Sequence, residues 1–241
     1  MEIRVFHNAA QAGQAAAAMF ASQLTEKPDS VLGLATGSTP IPTYKQLIYL
    51  YQQGAVDFSQ AISYNLDEYV GLPADHPCSY HAFMMEQLFD HVNMRPEAIH
   101  VPSGVTADLE GAARAYDAAI EEAGNIDMQL LGIGRNGHIG FNEPNDHFID
   151  GCHVVSLSPS TIEANTRFFE DSSQVPRQAV SLGIGAIMRA RRVVLIATGE
   201  DKAQAVRDAV LGDVTPQVQA SILRYHPNAL FLLDKAAASL L

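Results

Sequence analysis

Short apolar runs alternate with segments of helical period along this chain. Residues 3–6, 31–35, 62–66, 128–133, 193–198 and 229–233 are brief and largely apolar, and glycine, proline or polar residues bound them. That is the pattern of strands buried within a sheet. Between them, residues 9–24 are alanine-rich, with Asn8 placed as an N-cap. Tyr44, Leu47, Ile48 and Tyr51 fall at i, i+3, i+4 and i+7, one face of a helix. Residues 80–91, 109–123 and 202–211 also predict helices. The alternation predicts an α/β fold, a doubly wound, mostly parallel, Rossmann-like sheet with helices on both faces. No internal repeat, low-complexity tract or linker divides the 241 residues, so one domain is expected. The polar stretch 161–177 carries Arg167 and Arg177. It reads either as a cover over a site or as loop-rich surface.

Composition narrows the partners. Hydrophobic residues make up 47% of the chain, enough for a sizeable core. The formal net charge of −12 argues against nucleic acid or an anionic membrane as the main partner. It leaves room for an anionic small molecule, because local cations and helix N-termini override a global field. The two cysteines, Cys78 and Cys152, form no C-x-x-C pair, so neither a disulfide framework nor a zinc site is expected. A reduced, cytoplasmic setting follows. Residues 1–6 lack a signal-peptide layout, and no apolar run reaches membrane-spanning length.

The candidate chemistry lies where apolar runs end. After the run 127–133, residues 132–144 read Gly-Ile-Gly-Arg-Asn-Gly-His-Ile-Gly-Phe-Asn-Glu-Pro. His138 sits among glycines, with Glu143 five residues on, the layout of a general base with an orienting carboxylate. Gly132, Gly134 and Gly137 match a dinucleotide-binding fingerprint, but Gly140 and Pro144 leave no room for the helix that it requires. Thr36-Gly37-Ser38-Thr39 stands between a strand and a helix, either an anion site on free amides or a simple cap and turn. Thr198-Gly199-Glu200-Asp201-Lys202 repeats the layout, and Lys202 is either a point charge for a phosphate or an ordinary solvated lysine. Asp67 and Glu68 close the run 62–66; two adjacent carboxylates there are costly unless solvated, paired or catalytic. His76 and His81 have Pro77 between them, and no metal-ligand spacing is read anywhere.

Several of these motifs together resemble the glucosamine-6-phosphate deaminase family. They are 32–40 (Leu-Gly-Leu-Ala-Thr-Gly-Ser-Thr-Pro), 65–72 (Asn-Leu-Asp-Glu-Tyr-Val-Gly-Leu), 131–144 and 165–169 (Asn-Thr-Arg-Phe-Phe). The resemblance spans nearly the whole chain in the family's order. It implies conversion of glucosamine 6-phosphate and water to fructose 6-phosphate and ammonia, without a metal or redox cofactor. By the same match His138, held by Glu143, opens the sugar ring, and Asp67 moves a proton between adjacent carbons. Thr36, Gly37, Ser38, Arg167 and Lys202 hold the phosphate, Glu68 supports the site, and about 161–180 forms a lid. Asn136 stands where some members carry an aspartate coupled to the histidine and glutamate. It is expected to hydrogen-bond the imidazole without adding charge. Larger hexameric members have a basic cluster after the Glu-Pro motif; here that stretch reads Asp146, His147, His153 and Val155. A monomer or small homo-oligomer of the short, non-allosteric type is therefore expected. The alternatives are a galactosamine 6-phosphate deaminase, a 6-phosphogluconolactonase, and a non-catalytic sugar-phosphate sensor. The lactonase pattern fits less well at 67–69 and 136–141, and no spare segment offers the DNA-binding helices of a sensor.

Overall fold

The computed structural model describes residues 1–169 and 171–241. In chain order the elements are β1 (Glu2–Phe6), α1 (Ala9–Glu26), β2 (Val31–Leu34), α2 (Ile41–Gln52), β3 (Ile62–Asn65), β4 (Asp67–Tyr69), α3 (Tyr80–Gln87), β5 (Ile99–His100) and α4 (Leu109–Glu122). They continue as β6 (Met128–Leu131), β7 (His153–Ser156), α5 (Pro159–Asn165), β8 (Gln178–Ser181), α6 (Ile184–Met188), β9 (Val193–Ala197), α7 (Ala203–Leu211) and β10 (Ala229–Asp234). Seven strands form a parallel sheet in the order β1-β10-β9-β6-β2-β3-β5.

The apolar runs sit where their pattern places them. Every residue of β2, β6, β9 and β10 is buried, as expected of central strands covered on both faces. Strand β1 lies at the edge and is mostly exposed. Asn8 caps α1 by accepting from the Gln11 N–H at 3.0 Å. Ala12, Ala16, Ala17, Phe20 and Leu24 form its buried face. Small residues on that face let α1 approach α2 closely; a side chain at Gly13 would collide with Pro42.

Three expectations need correction. First, the parallel sheet is joined by a second one, β4-β8-β7, which is antiparallel. The run 62–66 therefore does not simply end in a loop. Leu66 is a pivot: its N–H donates to Leu34 O, and its carbonyl accepts from Leu182 N–H. Beyond it, Asp67 pairs with Ser181 in the small sheet. Second, the helix expected over 80–91 stops at Gln87. Leu88 leaves helical geometry (φ −144°), and Phe89–His91 form a single 3₁₀ turn. Third, Lys202 lies in a 3₁₀ turn, Glu200–Lys202, and α7 begins at Ala203.

Candidate active site

The strand order reverses between β2 and β6, because β2 leads to β3 on one side and β6 leads to β9 on the other. A crevice at such a switch point, beyond the carboxyl ends of the strands, is where open α/β sheets bind ligands. Four adjacent strands deliver the candidate residues there. Strand β3 leads to Asp67, β2 to Thr36–Ser38, β6 to Asn136 and His138, and β9 to Lys202.

The loop after β6 is shaped by its glycines. Gly134 N–H donates to His138 O at 2.9 Å, and Gly137 N–H to Gly134 O at 3.0 Å. Gly137 has φ +83°, a conformation that L side chains rarely adopt. A Cβ at Gly134 would lie 2.5 Å from the His138 ring, so the imidazole rests directly on that backbone. The small sheet braces the far end of the loop. Ser181 Oγ accepts from Phe141 N–H at 3.0 Å, and Asn142 Nδ2 donates to Ile139 O and Leu182 O, both at 2.8 Å.

His138 Nδ1 lies 3.6 Å from Glu143 Oε2, with both side chains largely buried. That is ion-pair distance and beyond a hydrogen bond, and Nδ1 is buried with no hydrogen-bond partner among the described residues. Glu143 itself is well held. Asn136 Nδ2 donates to Oε2 at 2.6 Å, and Ser158 N–H donates to Oε1 at 3.3 Å. Burial works to raise the Glu143 carboxyl, but the adjacent His138, with Thr161 and the Ser158 N–H, outweighs it and holds it at about 2. Asn136 departs from expectation. Its amide goes to Glu143, and its Oδ1 accepts from the backbone N–H of His138 at 3.2 Å, so it does not bond the imidazole ring.

Asp67 is only 5% exposed, at the start of β4. Burial, with the neighbouring charge of Glu68 second, pushes its carboxyl up to about 8. A Cβ at Gly140 would lie 3.7 Å from Asp67 Oδ2, which sets the carboxylate against the His138 loop. A buried carboxyl that titrates near neutrality in a crevice marks a candidate functional group. Glu68, the adjacent acid, turns elsewhere. It accepts from the backbone N–H groups of Tyr69 (2.8 Å), Tyr80 (2.9 Å) and His81 (3.0 Å). Its carboxylate is thus occupied by the first turn of α3, and its support of the site is indirect.

The cations converge from separate elements. Arg167, in the 3₁₀ turn after α5, donates from Nη2 to Ser38 Oγ at 3.3 Å and lies 4.7 Å over the Phe168 ring. Lys202 is half-buried. Desolvation lowers its ammonium first; Asp201 opposes this, and Arg135 and Arg167 add to it. The start of α2, next to Thr36–Ser38, has no side-chain cap among the described residues, but Pro42 has no N–H and the Thr43 N–H donates to Pro40 O at 2.9 Å, so neither offers an amide to an anion. The expected cover, 161–180, comprises α5, two 3₁₀ turns and the first part of β8; position 170 lies outside the described residues. Cys78 Sγ, 3.2 Å from Phe168 O, ties this cover to the loop before α3.

Sequence reasoning missed three contributors. Tyr80 and Tyr69 link their hydroxyls at 3.2 Å beside Asp67, and Tyr80 stacks on Phe141 at 5.9 Å. Gln219 donates to Glu143 O at 3.1 Å. Tyr80 and Gln219 carried no local signal, since tertiary packing brings them in; Tyr69 stands in the 65–72 motif, but its ring contacts are tertiary. Among the described residues, no group of three or more His, Cys, Asp or Glu is placed to hold a metal ion.

Comparisons with known proteins place the chain in a family. The family described as glucosamine-6-phosphate isomerases/6-phosphogluconolactonase matches residues 6–231. A glucosamine-6-phosphate deaminase of Thermoanaerobacter pseudethanolicus is 48% identical over 241 residues, all of this chain and 95% of that protein. One from Lachnoclostridium phytofermentans is 56% identical over 213 residues, 88% of this chain and 90% of that protein. Among solved structures, a monomeric glucosamine-6-phosphate deaminase superposes with TM-score 0.98 at 42% identity, over the whole of both chains. A 6-phosphogluconolactonase from Trypanosoma brucei superposes with TM-score 0.78 at 23% identity, covering 100% of this chain and 98% of that one, a likeness of fold alone. The chain belongs to the glucosamine-6-phosphate isomerase/6-phosphogluconolactonase family and, within it, to the glucosamine-6-phosphate deaminases.

Proposed function

We propose that this protein converts glucosamine 6-phosphate and water to fructose 6-phosphate and ammonia, with Asp67 as the proton carrier and His138 as the ring-opening group. The observation that carries the reading is the buried Asp67 carboxyl, pushed up to about 8 and set against the loop that presents His138. His138 takes the proton of the anomeric hydroxyl and returns one to the ring oxygen, freeing the open aldose. Glu143, ionised throughout the neutral range, steadies the imidazolium formed on the way. Asp67 then removes the proton from the amine-bearing carbon to give an enolamine and delivers it to the neighbouring carbon. Water adds to the resulting imine carbon, and ammonia leaves.

Thr36, Gly37, Ser38, Arg167 and Lys202 hold the phosphate. Its two charges offset the desolvation that lowers the Lys202 ammonium, and its binding energy positions the reacting carbons. Glu68 acts from behind, by fixing α3. The chain works as one unit, with 161–180 as its cover. Among the described residues, no helix is long and apolar enough to cross a membrane. A cytoplasmic enzyme that acts as a monomer or small homo-oligomer fits that fact and the likeness to a monomeric deaminase.

The test is ammonia release by the purified protein. Glucosamine 6-phosphate should turn over, and free glucosamine should be a very poor substrate. Faster turnover of galactosamine 6-phosphate would move the assignment to that epimer. Hydrolysis of 6-phosphogluconolactone above the spontaneous rate, without ammonia release from either amino sugar, would refute it.

A further inference from the structure

Arg135 takes no part in the steps above, yet it stands between the two halves of the site. It belongs to the loop after β6, one residue beyond Gly134 and three before His138. Its Nε donates to Asp201 Oδ2 at 3.0 Å, and Asp201 immediately precedes Lys202 in the 3₁₀ turn after β9. The two side chains are 67% and 45% exposed. A pair so exposed adds little to stability, so its location is the informative feature. Asp201 occupies only Nε. Among the described residues nothing else accepts from the guanidinium, which leaves both terminal amino groups for a ligand. The ion pair sets Arg135 beside the turn that carries Lys202, Arg167 reaches Ser38 in the loop after the neighbouring β2, and the charges of both arginines bear on Lys202. The rest of the chain opposes an anion, with a net charge of −12.

We propose that Arg135 is a third phosphate-recognition cation, held by Asp201 with its terminal amino groups free to engage the dianion at Arg167 and Lys202. The proposal rests on the phosphate site assigned above. Arg135, like Arg167, is exposed, where a cation draws in a charged ligand and weights dianion over monoanion, while the half-buried Lys202 makes the inner contact. Because Arg135 shares a short loop with His138, the same ion pair joins the phosphate end of the site to the ring-opening end.

The test compares wild type with Arg135→Gln, Arg135→Lys and Asp201→Asn. Initial rates of ammonia release are measured across a range of salt, and binding of inorganic phosphate is measured by calorimetry without turnover. Arg135→Gln should raise KM about three- to tenfold and leave kcat within about twofold, as expected for a rim charge. It should also flatten the salt dependence of kcat/KM and weaken phosphate binding by a similar factor. Arg135→Lys should restore most of both. Asp201→Asn removes an anion and should leave KM equal or lower. A KM and salt dependence unchanged in Arg135→Gln would overturn the proposal. So would a rise in KM in Asp201→Asn equal to that in Arg135→Gln, because the pair would then be only a strut. Wild type that binds phosphate through Arg135 but releases no ammonia would refute the deaminase reading and leave this inference standing. Normal turnover, with phosphate binding unchanged in Arg135→Gln, would refute the inference alone.

Discussion

Asp67 bears the largest consequence of any single residue. Its carboxyl rises from about 3.9 in an unfolded chain to about 8 in the fold. As a base it must be ionised, so kcat/KM should climb with pH toward a plateau above about 8. Asp67→Asn should cut ammonia release by about 100- to 10,000-fold while the substrate still binds. Near-normal turnover by the purified variant would refute the role. The same shift has a stability consequence. Between the unfolded and folded values the native state holds the extra proton, so this group's contribution to stability falls as pH rises through that window. Asp67→Asn should therefore lose less melting temperature than wild type between pH about 5 and about 9, measured by thermal unfolding. Asn136 offers a second test. Its amide touches Glu143 at 2.6 Å, so Asn136→Asp would place two carboxylates together. Like charges at that distance share a proton and raise the pair's apparent pKa. The variant should keep activity but gain an ionisation in its pH–rate profile that wild type lacks. Superimposable profiles would show that the contact does not control the titration.

At the scale of elements, the small sheet is what turns a generic parallel sheet into this site. Strand β4 is three residues long, yet it carries Asp67 into the crevice and Glu68 to the start of α3. Tyr69 packs with Phe141, Leu157 and Ala179 in a separate apolar cluster, joined at its margin by Tyr80 and Phe169. Glu68→Ala would leave three backbone N–H groups without their acceptor. The expected loss is about 2–4 kcal/mol of stability, since stranding buried donors costs more than a hydrogen bond contributes. Denaturant unfolding gives that number. Glu68→Gln, which keeps one acceptor oxygen, should recover part of it. A variant as stable as wild type would mean that α3 is fixed by packing alone.

For the whole molecule, the question is whether the site answers to a distant ligand. The stretch from Asp146 to Val155 contains no lysine or arginine. In the fold it borders a cleft of about 330 Å³ lined by residues that include Asn145, Ile149, His153, Val155, Ser156 and Glu143, with no Lys or Arg in its wall. A dianion has no fixed cation to meet there, and an effector shifts an equilibrium only through differential contacts. Initial rates should be hyperbolic and unchanged by millimolar N-acetylglucosamine 6-phosphate. A sigmoid that this compound converts to a hyperbola would contradict the expectation. Arg224, distant in sequence, does not line this cleft, and its Nη1 donates to Gly212 O. Arg191 is held by Asp127 at 3.2 Å.

The sequence by itself determined the parallel sheet, because fully buried strands must be apolar throughout and so announce themselves in β2, β6, β9 and β10. It also determined the loops that bear Thr36, Gly37, Ser38, His138 and Lys202, since glycine and hydroxyl residues at strand ends follow from local backbone geometry. Alternation at a strand end already predicts that Asp67 and Glu68 point to opposite sides; only the tertiary structure decided which faces the crevice and which binds backbone. Their neighbours in space are Ser181 and Gly140 on one side and α3 on the other, contacts between residues far apart in the chain. Strands β4, β7 and β8 were illegible for the same reason: they are short, each is partly exposed or polar, and their pairing is non-local. The destination of the Asn136 amide, and the pairing of Arg135 with Asp201 next to Lys202, could be settled only by the folded chain. A hydrogen bond or a charge cluster depends on distance in space, and spacing along a sequence does not encode that distance until the sheet order is known.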